Sequence, residues 1–234
     1  MIIGIIGAME PEVEALKETM TDKKITNKAQ MEFYHGNLWG AEAVVVRSGI
    51  GKVNAAICAQ ILADDFHVDV LINTGVAGSL HNEINIGDIV LSTDALQHDM
   101  DAVGFGYALG QIPQMEVWDF PGDRKLLSLA KECCAKVIPD TGVFEGRIVT
   151  GDQFISSREK KEWIKKNFAG YCTEMEGAAI AQAAYLNHIP CLIIRAISDK
   201  ADDSAQMVYS EFLEIAVANS IKLLKEMLQK LSAN

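Results

Sequence analysis

Runs of strand length that end in glycine or a small polar residue recur along the chain. They lie at 1–6 before Gly7, 43–46 before Ser48-Gly49, 70–72 before Asn73-Thr74-Gly75, 89–91 before Ser92, 143–149 before Thr150-Gly151, and 191–194 before Arg195. Such runs suit strands covered on both faces. Stretches with helical spacing lie between many of them, at 12–20, 53–66, 125–137, 158–168, 176–186 and 212–231. Strand and helix alternate, so the expected fold is α/β, a three-layer α/β/α sandwich around a largely parallel sheet. One interruption makes that sheet mixed: 25–46 reads as two or three successive strands, around Phe33-Tyr34-His35 and then 41–46, joined by the Asn37-Leu38-Trp39-Gly40 turn. No repeat, low-complexity segment or Gly/Ser/Pro linker interrupts the 234 residues, so one domain over 1–234 is expected.

Charge excludes several classes of function. With 21 Lys+Arg against 32 Asp+Glu the net charge is -11, which repels phosphate backbones and anionic membranes, so neither nucleic acid nor membrane is an expected partner. The apolar start lacks a basic segment and meets Glu10 and Pro11 too early for a signal peptide; it reads as a buried first strand. The long uncharged stretch 177–194 is broken by Gln182, Asn187, His188 and Pro190 into a small-residue helix and a strand, so no membrane span is expected. Five cysteines without a CxxC pair fit neither a disulfide framework nor a zinc site, and point to a reducing cytoplasm.

In open α/β sheets ligands bind beyond the carboxyl ends of the strands, so the residues after each run form the candidate site. They are small and acidic: Gly7-Ala8-Met9-Glu10-Pro11-Glu12, Thr74-Gly75-Val76-Ala77-Gly78, Glu174-Met175-Glu176-Gly177 and Arg195-Ala196-Ile197-Ser198-Asp199. Glu12 can complement the dipole of the helix it begins, or serve as a general base. Glu174 and Glu176 can be an ordinary acidic helix start, or can accept the paired hydroxyls of a ribose. Asp199 either caps its loop or stands at the mouth of a buried strand. Arg195 would be a poor core residue without a carboxylate partner such as Glu174 or Glu12.

Other features carry less. The glycines of Gly49-Ile50-Gly51-Lys52 and of 75–78 could cradle a phosphate, but they match neither a Walker A loop nor a Rossmann fingerprint, and no cofactor is expected. His98-Asp99-Met100-Asp101 offers too few ligands for a metal and reads as a polar loop. The aromatic, glycine-containing segment 105–113 reads as an interface, a ligand lid or a satellite core.

Taken together, GIIGAMEPEV (4–13), SGIGKVNAA (48–56), INTGVAG (72–78), GDQFI (151–155), EMEGAAIA (174–181) and RAISDKAD (195–202) resemble the 5′-methylthioadenosine/S-adenosylhomocysteine nucleosidases of the purine nucleoside phosphorylase superfamily. The resemblance runs nearly end to end. It implies a nucleoside phosphorylase-like fold and cofactor-free hydrolysis of the N-glycosidic bond of adenine nucleosides by water, in methionine salvage. By position it implies that Glu12 deprotonates the water and Asp199 protonates adenine N7. Glu176 would hold the ribose hydroxyls, Met175 line the sugar, and Arg195 help to place the water. Phe154 would stack on adenine, the Ile155 backbone read its edge, and Ser198 support Asp199. Met9, Ile50 and Tyr209 would line the 5′ alkylthio pocket beside Val76, Ala77 and Gly78. Phe105, Tyr107 and Pro113 would reach in from the other subunit of a homodimer. Val76 stands where some relatives have serine, and Tyr209 where some have phenylalanine.

Three rival readings share this fold. A purine or uridine phosphorylase would need clustered cations for phosphate, whereas the chain has no arginine before Arg47 and crowds Glu10, Glu12 and Glu14 into its first loop. A noncatalytic nucleoside sensor would not need an acid and a base on either side of a scissile bond. An aminofutalosine nucleosidase would differ only in the 5′ substituent.

Overall fold

The computed structural model describes residues 1–202 and 205–233, with the backbone alone for 206–211. The chain opens with β1 (Ile2–Gly7) and α1 (Glu10–Thr19), followed by three strands in succession, β2 (Thr21–Lys28), β3 (Met31–Leu38) and β4 (Ala41–Arg47). Trp39 and Gly40 both take positive φ, 53° and 95°, as a type I′ turn requires, and this joins β3 to β4 with the twist of the sheet. Next come α2 (Lys52–Phe66), β5 (Val70–Ser79), β6 (Ile89–Gln97) and, after a long loop, β7 (Asp119–Pro121). The rest is α3 (Arg124–Val137), β8 (Val143–Thr150), α4 (Arg158–Phe168), β9 (Cys172–Glu174), α5 (Gly177–Leu186), β10 (Cys191–Asp199) and α6 (Ala205–Ser232).

These strands share one mixed sheet. β1 runs parallel to β4 and β5, and β5 parallel to β10, while β2, β3 and β4 add an antiparallel edge. The opposite end closes on itself, because β10 pairs with β6, β6 with β8, β8 with β9, and β9 returns to β5. The expected sandwich is present, with half of its sheet curled into a ring.

Alternation along the strands explains their continuous apolar character. β1 sends Ile3 and Ile5 to a core shared with α1, α3 and α6, and Ile6 to a second core against α2 and α5; β4 divides Ala43 and Val45 from Val44 and Val46 in the same way. Helices cover both faces, so both sets are buried.

The strand ends differ from expectation. β5 and β10 do not stop at 72 and 194; their parallel pairing continues through Arg195 opposite Gly75 and Ile197 opposite Ala77, with a register shift before Asp199. Residues expected beyond the strands thus sit on them, because each strand satisfies the other's backbone groups. The three-residue β7 and β9 are too short to show a period, and the ladders of β6, β5 and β8 create them.

Candidate active site

Where β1, β5 and β10 end beside the start of α5, a cavity of about 390 Å³ opens, within the usual range for a small-molecule site. Its walls carry Met9 and Glu12 from the start of α1, Ile50 from the loop before α2, and Val76, Ala77 and Gly78 from β5. Phe154, Glu174, Met175, Glu176, Ser198 and Asp199 complete it, and Ile155 lines a small adjoining recess. The structure therefore gathers most of the expected site residues around one space.

Glu12 enters because α1 begins directly after β1. Its Oε2 accepts the N–H groups of Ala8 at 2.7 Å and Met9 at 2.9 Å, and its Oε1 accepts that of Val76 at 3.1 Å. The helix-start and general-base readings are compatible: three donors leave acceptor capacity on Oε1, the oxygen nearest β5. Burial pushes the Glu12 carboxyl above its ordinary value, while Arg195 and the three N–H groups pull the other way.

Arg195, 1% exposed, is paired with Glu174 rather than Glu12: its Nη2 donates to Glu174 Oε2 and, at 2.5 Å, to Asn73 Oδ1. Glu174 also accepts the Thr150 hydroxyl, the Glu176 N–H at 3.1 Å and the Gly177 N–H at 2.7 Å. Three of these donors converge on Oε2 and the Thr150 hydroxyl takes Oε1. Of the two carboxylates expected to share ribose hydroxyls, Glu174 is thus occupied in fixing Arg195 and the start of α5. Glu176 lines the same cavity and keeps more of its acceptor capacity. It accepts the Gly51 N–H at 2.8 Å, and burial together with the neighbouring Glu174 pushes its carboxyl up to about 8.

Asp199 accepts the Ala201 N–H at 2.7 Å and the Ser198 hydroxyl at 2.9 Å, so it does tie down the following loop. Burial raises its carboxyl, those two donors oppose the shift, and Asp202 adds to it. Two buried carboxyl groups, each more readily protonated through burial than in water, thus face the same space, and Glu12 keeps acceptor capacity there.

The sequence profile of the phosphorylase superfamily matches residues 2–229. A 5′-methylthioadenosine/S-adenosylhomocysteine nucleosidase from an Exiguobacterium species is 43% identical over 232 residues, 99% of this chain and 99% of that one. The chain belongs to this nucleosidase family. A solved nucleosidase of the same kind from Colwellia psychrerythraea 34H, in complex with adenine, has a TM-score of 0.94 at 42% identity, covering 99% of this chain and 96% of its own. The futalosine hydrolase of Helicobacter pylori reaches 0.93 at 34% identity, covering 98% of this chain and 97% of its own.

Not every residue that the nucleosidase resemblance named meets the cavity. Phe105, Tyr107 and Pro113, expected to serve the site of a second subunit, stand on the long loop between β6 and β7 and do not line this chain's own cavity, and Phe105 is 88% exposed. Tyr209 lies outside the described side chains. Conversely, Thr150, Asn73 and Thr173 were not singled out. Thr150 receives the Ala178 N–H at 2.8 Å while donating to Glu174, Asn73 holds Arg195, and Thr173 lines the wall. Asn73 and Thr150 each follow an apolar run, and that position is their available signal, whereas Thr173 sits on the three-residue β9 and has none.

Proposed function

We infer that the chain hydrolyses the N-glycosidic bond of 5′-methylthioadenosine and S-adenosylhomocysteine, and of 5′-deoxyadenosine, releasing adenine and the 5′-substituted ribose. The observation that carries this reading is the placement of two buried carboxylates, Glu12 and Asp199, on one cavity beside different positions of β5. A Cβ at Gly75 would come 2.7 Å from Glu12 Oε1, and one at Gly78 2.8 Å from Asp199 Oδ1. Cleavage builds positive charge on the sugar, and it needs an acid at the leaving base and a base for water, as in glycoside hydrolysis.

In this reading Asp199 gives its proton to adenine N7 and Glu12 Oε1 takes one from water. Arg195, held by Glu174 and Asn73, keeps positive charge beside Glu12 and helps to place the water. Glu176 receives the ribose hydroxyls and Met175 packs on the sugar. Phe154 stacks on adenine, the Ile155 backbone reads its edge, and Ser198 aims Asp199. Met9, Ile50, Val76, Ala77, Gly78 and Tyr209 border the 5′ group. No cofactor enters these steps. Each proton transfer contributes about 10²–10⁴-fold.

Phosphate is a poor nucleophile for this site. Arg195 is already engaged by Glu174, and the described cavity lining includes no lysine or arginine. In phosphate-free buffer methylthioadenosine should yield adenine and methylthioribose. Methylthioribose 1-phosphate, or strict dependence on phosphate, would make the enzyme a phosphorylase. The likeness to a futalosine hydrolase favours a second reading in which an aminofutalosine side chain is the 5′ group; kcat/KM across the candidate nucleosides separates the two.

The working unit in this proposal is a homodimer of a single 1–234 domain in the cytoplasm. Exposed Val53, Ile57 and Leu186 on the α2/α5 face support it, as does Phe105. The five cysteines are buried and free, which suits a reducing compartment. No described helix is long and apolar enough to cross a membrane.

A further inference from the structure

Asp99 lies outside the cavity lining, yet it bonds to both loops that carry apolar cavity walls. One loop, 49–52, presents Ile50; the other, 151–155, presents Phe154. Asp99 Oδ1 accepts Lys52 Nζ at 2.6 Å, and Oδ2 accepts the Asp152 N–H at 3.0 Å. Asp152 Oδ1 in turn accepts the Lys52 N–H at 2.8 Å, so the three residues close a ring of hydrogen bonds. Gln97 adds an acceptor for Lys52 Nζ at 3.0 Å.

The ring is tied to the cavity through the backbone. Gly51, next to Lys52, donates its N–H to Glu176 Oε1. Gly49 and Gly51 take φ of 84° and 95°, conformations open to glycine, so the loop's own backbone does little to restrict it and outside bonds must hold one geometry. The Lys52 and Asp99 side chains are only 18% and 20% exposed, so solvent screens the pair less than a surface ion pair. Burial opposes ionisation of Asp99, but the Lys52 ammonium and the Asp152 N–H outweigh it and hold the carboxyl below its ordinary value.

A bland role is available: Asp152 alone could cap the start of α2. It would not require Asp99 to reach both loops at once. We propose that Asp99 is a positioning residue for nucleoside binding, which through Lys52 and the Asp152 N–H holds the Ile50 loop and the Phe154 loop at the separation that an adenine nucleoside needs.

This proposal rests on the nucleoside reading of the cavity. Asp99→Ala should raise KM for methylthioadenosine and Kd for adenine about tenfold, with kcat changed less than about threefold. The Asp152 amide should exchange faster while amides of β5 stay protected. Lys52→Met removes only the ammonium and should reproduce the KM effect, and the double variant should be no worse than the poorer single one. If Asp99→Ala does not fold, Lys52→Met carries the test. Unchanged adenine affinity in the folded variants, or a fall in kcat at constant KM, would overturn the proposal and leave a helix cap. Wild-type protein that binds adenine but does not cleave methylthioadenosine would instead sink the hydrolase reading, and the adenine-affinity and amide-exchange comparisons would still decide this one.

Discussion

Gly75 leaves the space that the Glu12 carboxylate occupies: a Cβ there would stand 2.7 Å from Glu12 Oε1 and 3.4 Å from Arg195 Nη1. The Glu12 carboxylate is the free end of a side chain, so it would move before the paired strands would. Gly75→Ala is therefore expected to lower kcat at least about tenfold by pulling the base off its Val76 N–H, at an overpacking cost of about 1–3 kcal/mol in stability. Steady-state kinetics beside thermal unfolding checks this. Wild-type kcat in the folded variant would show that Glu12 need not sit there.

Asp199→Asn should cut turnover on methylthioadenosine by at least about tenfold while keeping the fold, because an amide still accepts the Ala201 N–H but cannot deliver a proton to adenine. Circular dichroism controls for folding. Near-normal turnover would remove Asp199 from the role of acid.

Glu12 and Asp199 stood out as candidates because an ionisable residue soon after an apolar run is conspicuous whatever the fold, and Glu176 because it opens a helix of small residues. The helices were legible too, since their apolar spacing is local. What sequence could not supply was the partner of Arg195. Glu174 and Glu12 were equivalent candidates until pairing of β9 with β5 and β8, and of β10 with β5, set Glu174 against the guanidinium. The same long-range pairing extends β5 and β10 past their apolar centres, and no periodicity within either strand reports it. Thr150 and Asn73 escaped for a related reason: a buried hydroxyl or amide is informative only once its partner is known.

Glu176 makes stability depend on pH. Its carboxyl rises from an ordinary 4.5 to about 8, so the folded chain keeps a proton that the unfolded chain has released. The stabilisation is full below the unfolded value and is lost as pH rises through the folded one. Glu12 and Asp199, also raised, act in the same direction. The Tm of the ligand-free protein should fall between about pH 5 and pH 8, and Glu176→Gln should flatten that fall because its amide does not titrate. Scanning calorimetry of both proteins across that range is the check. Parallel curves would mean that the burial of Glu176 leaves its proton affinity unchanged.

Phe105 is the most exposed large apolar side chain described, at 88%, and Val53 and Leu186 follow at 70% and 58%. Exposure of this kind is expected of surfaces that a partner covers. If a second copy covers them, and its Phe105 completes the 5′ pocket, the protein should sediment as a dimer at micromolar concentration. Phe105→Ala should then remain a dimer through the α2/α5 face while its KM for methylthioadenosine rises about tenfold or more, since burying a phenylalanine contributes about 1.5–3 kcal/mol. Mixing supplies the decisive comparison. A dimer of one Phe105→Ala chain and one Asp199→Asn chain has one site with an intact acid from the first and an intact phenylalanine from the second. Exchange of subunits should therefore restore wild-type kcat/KM in part of the population, which neither variant shows alone. A fully active monomer, or mixtures that behave as the sum of their parts, would end the shared-site proposal.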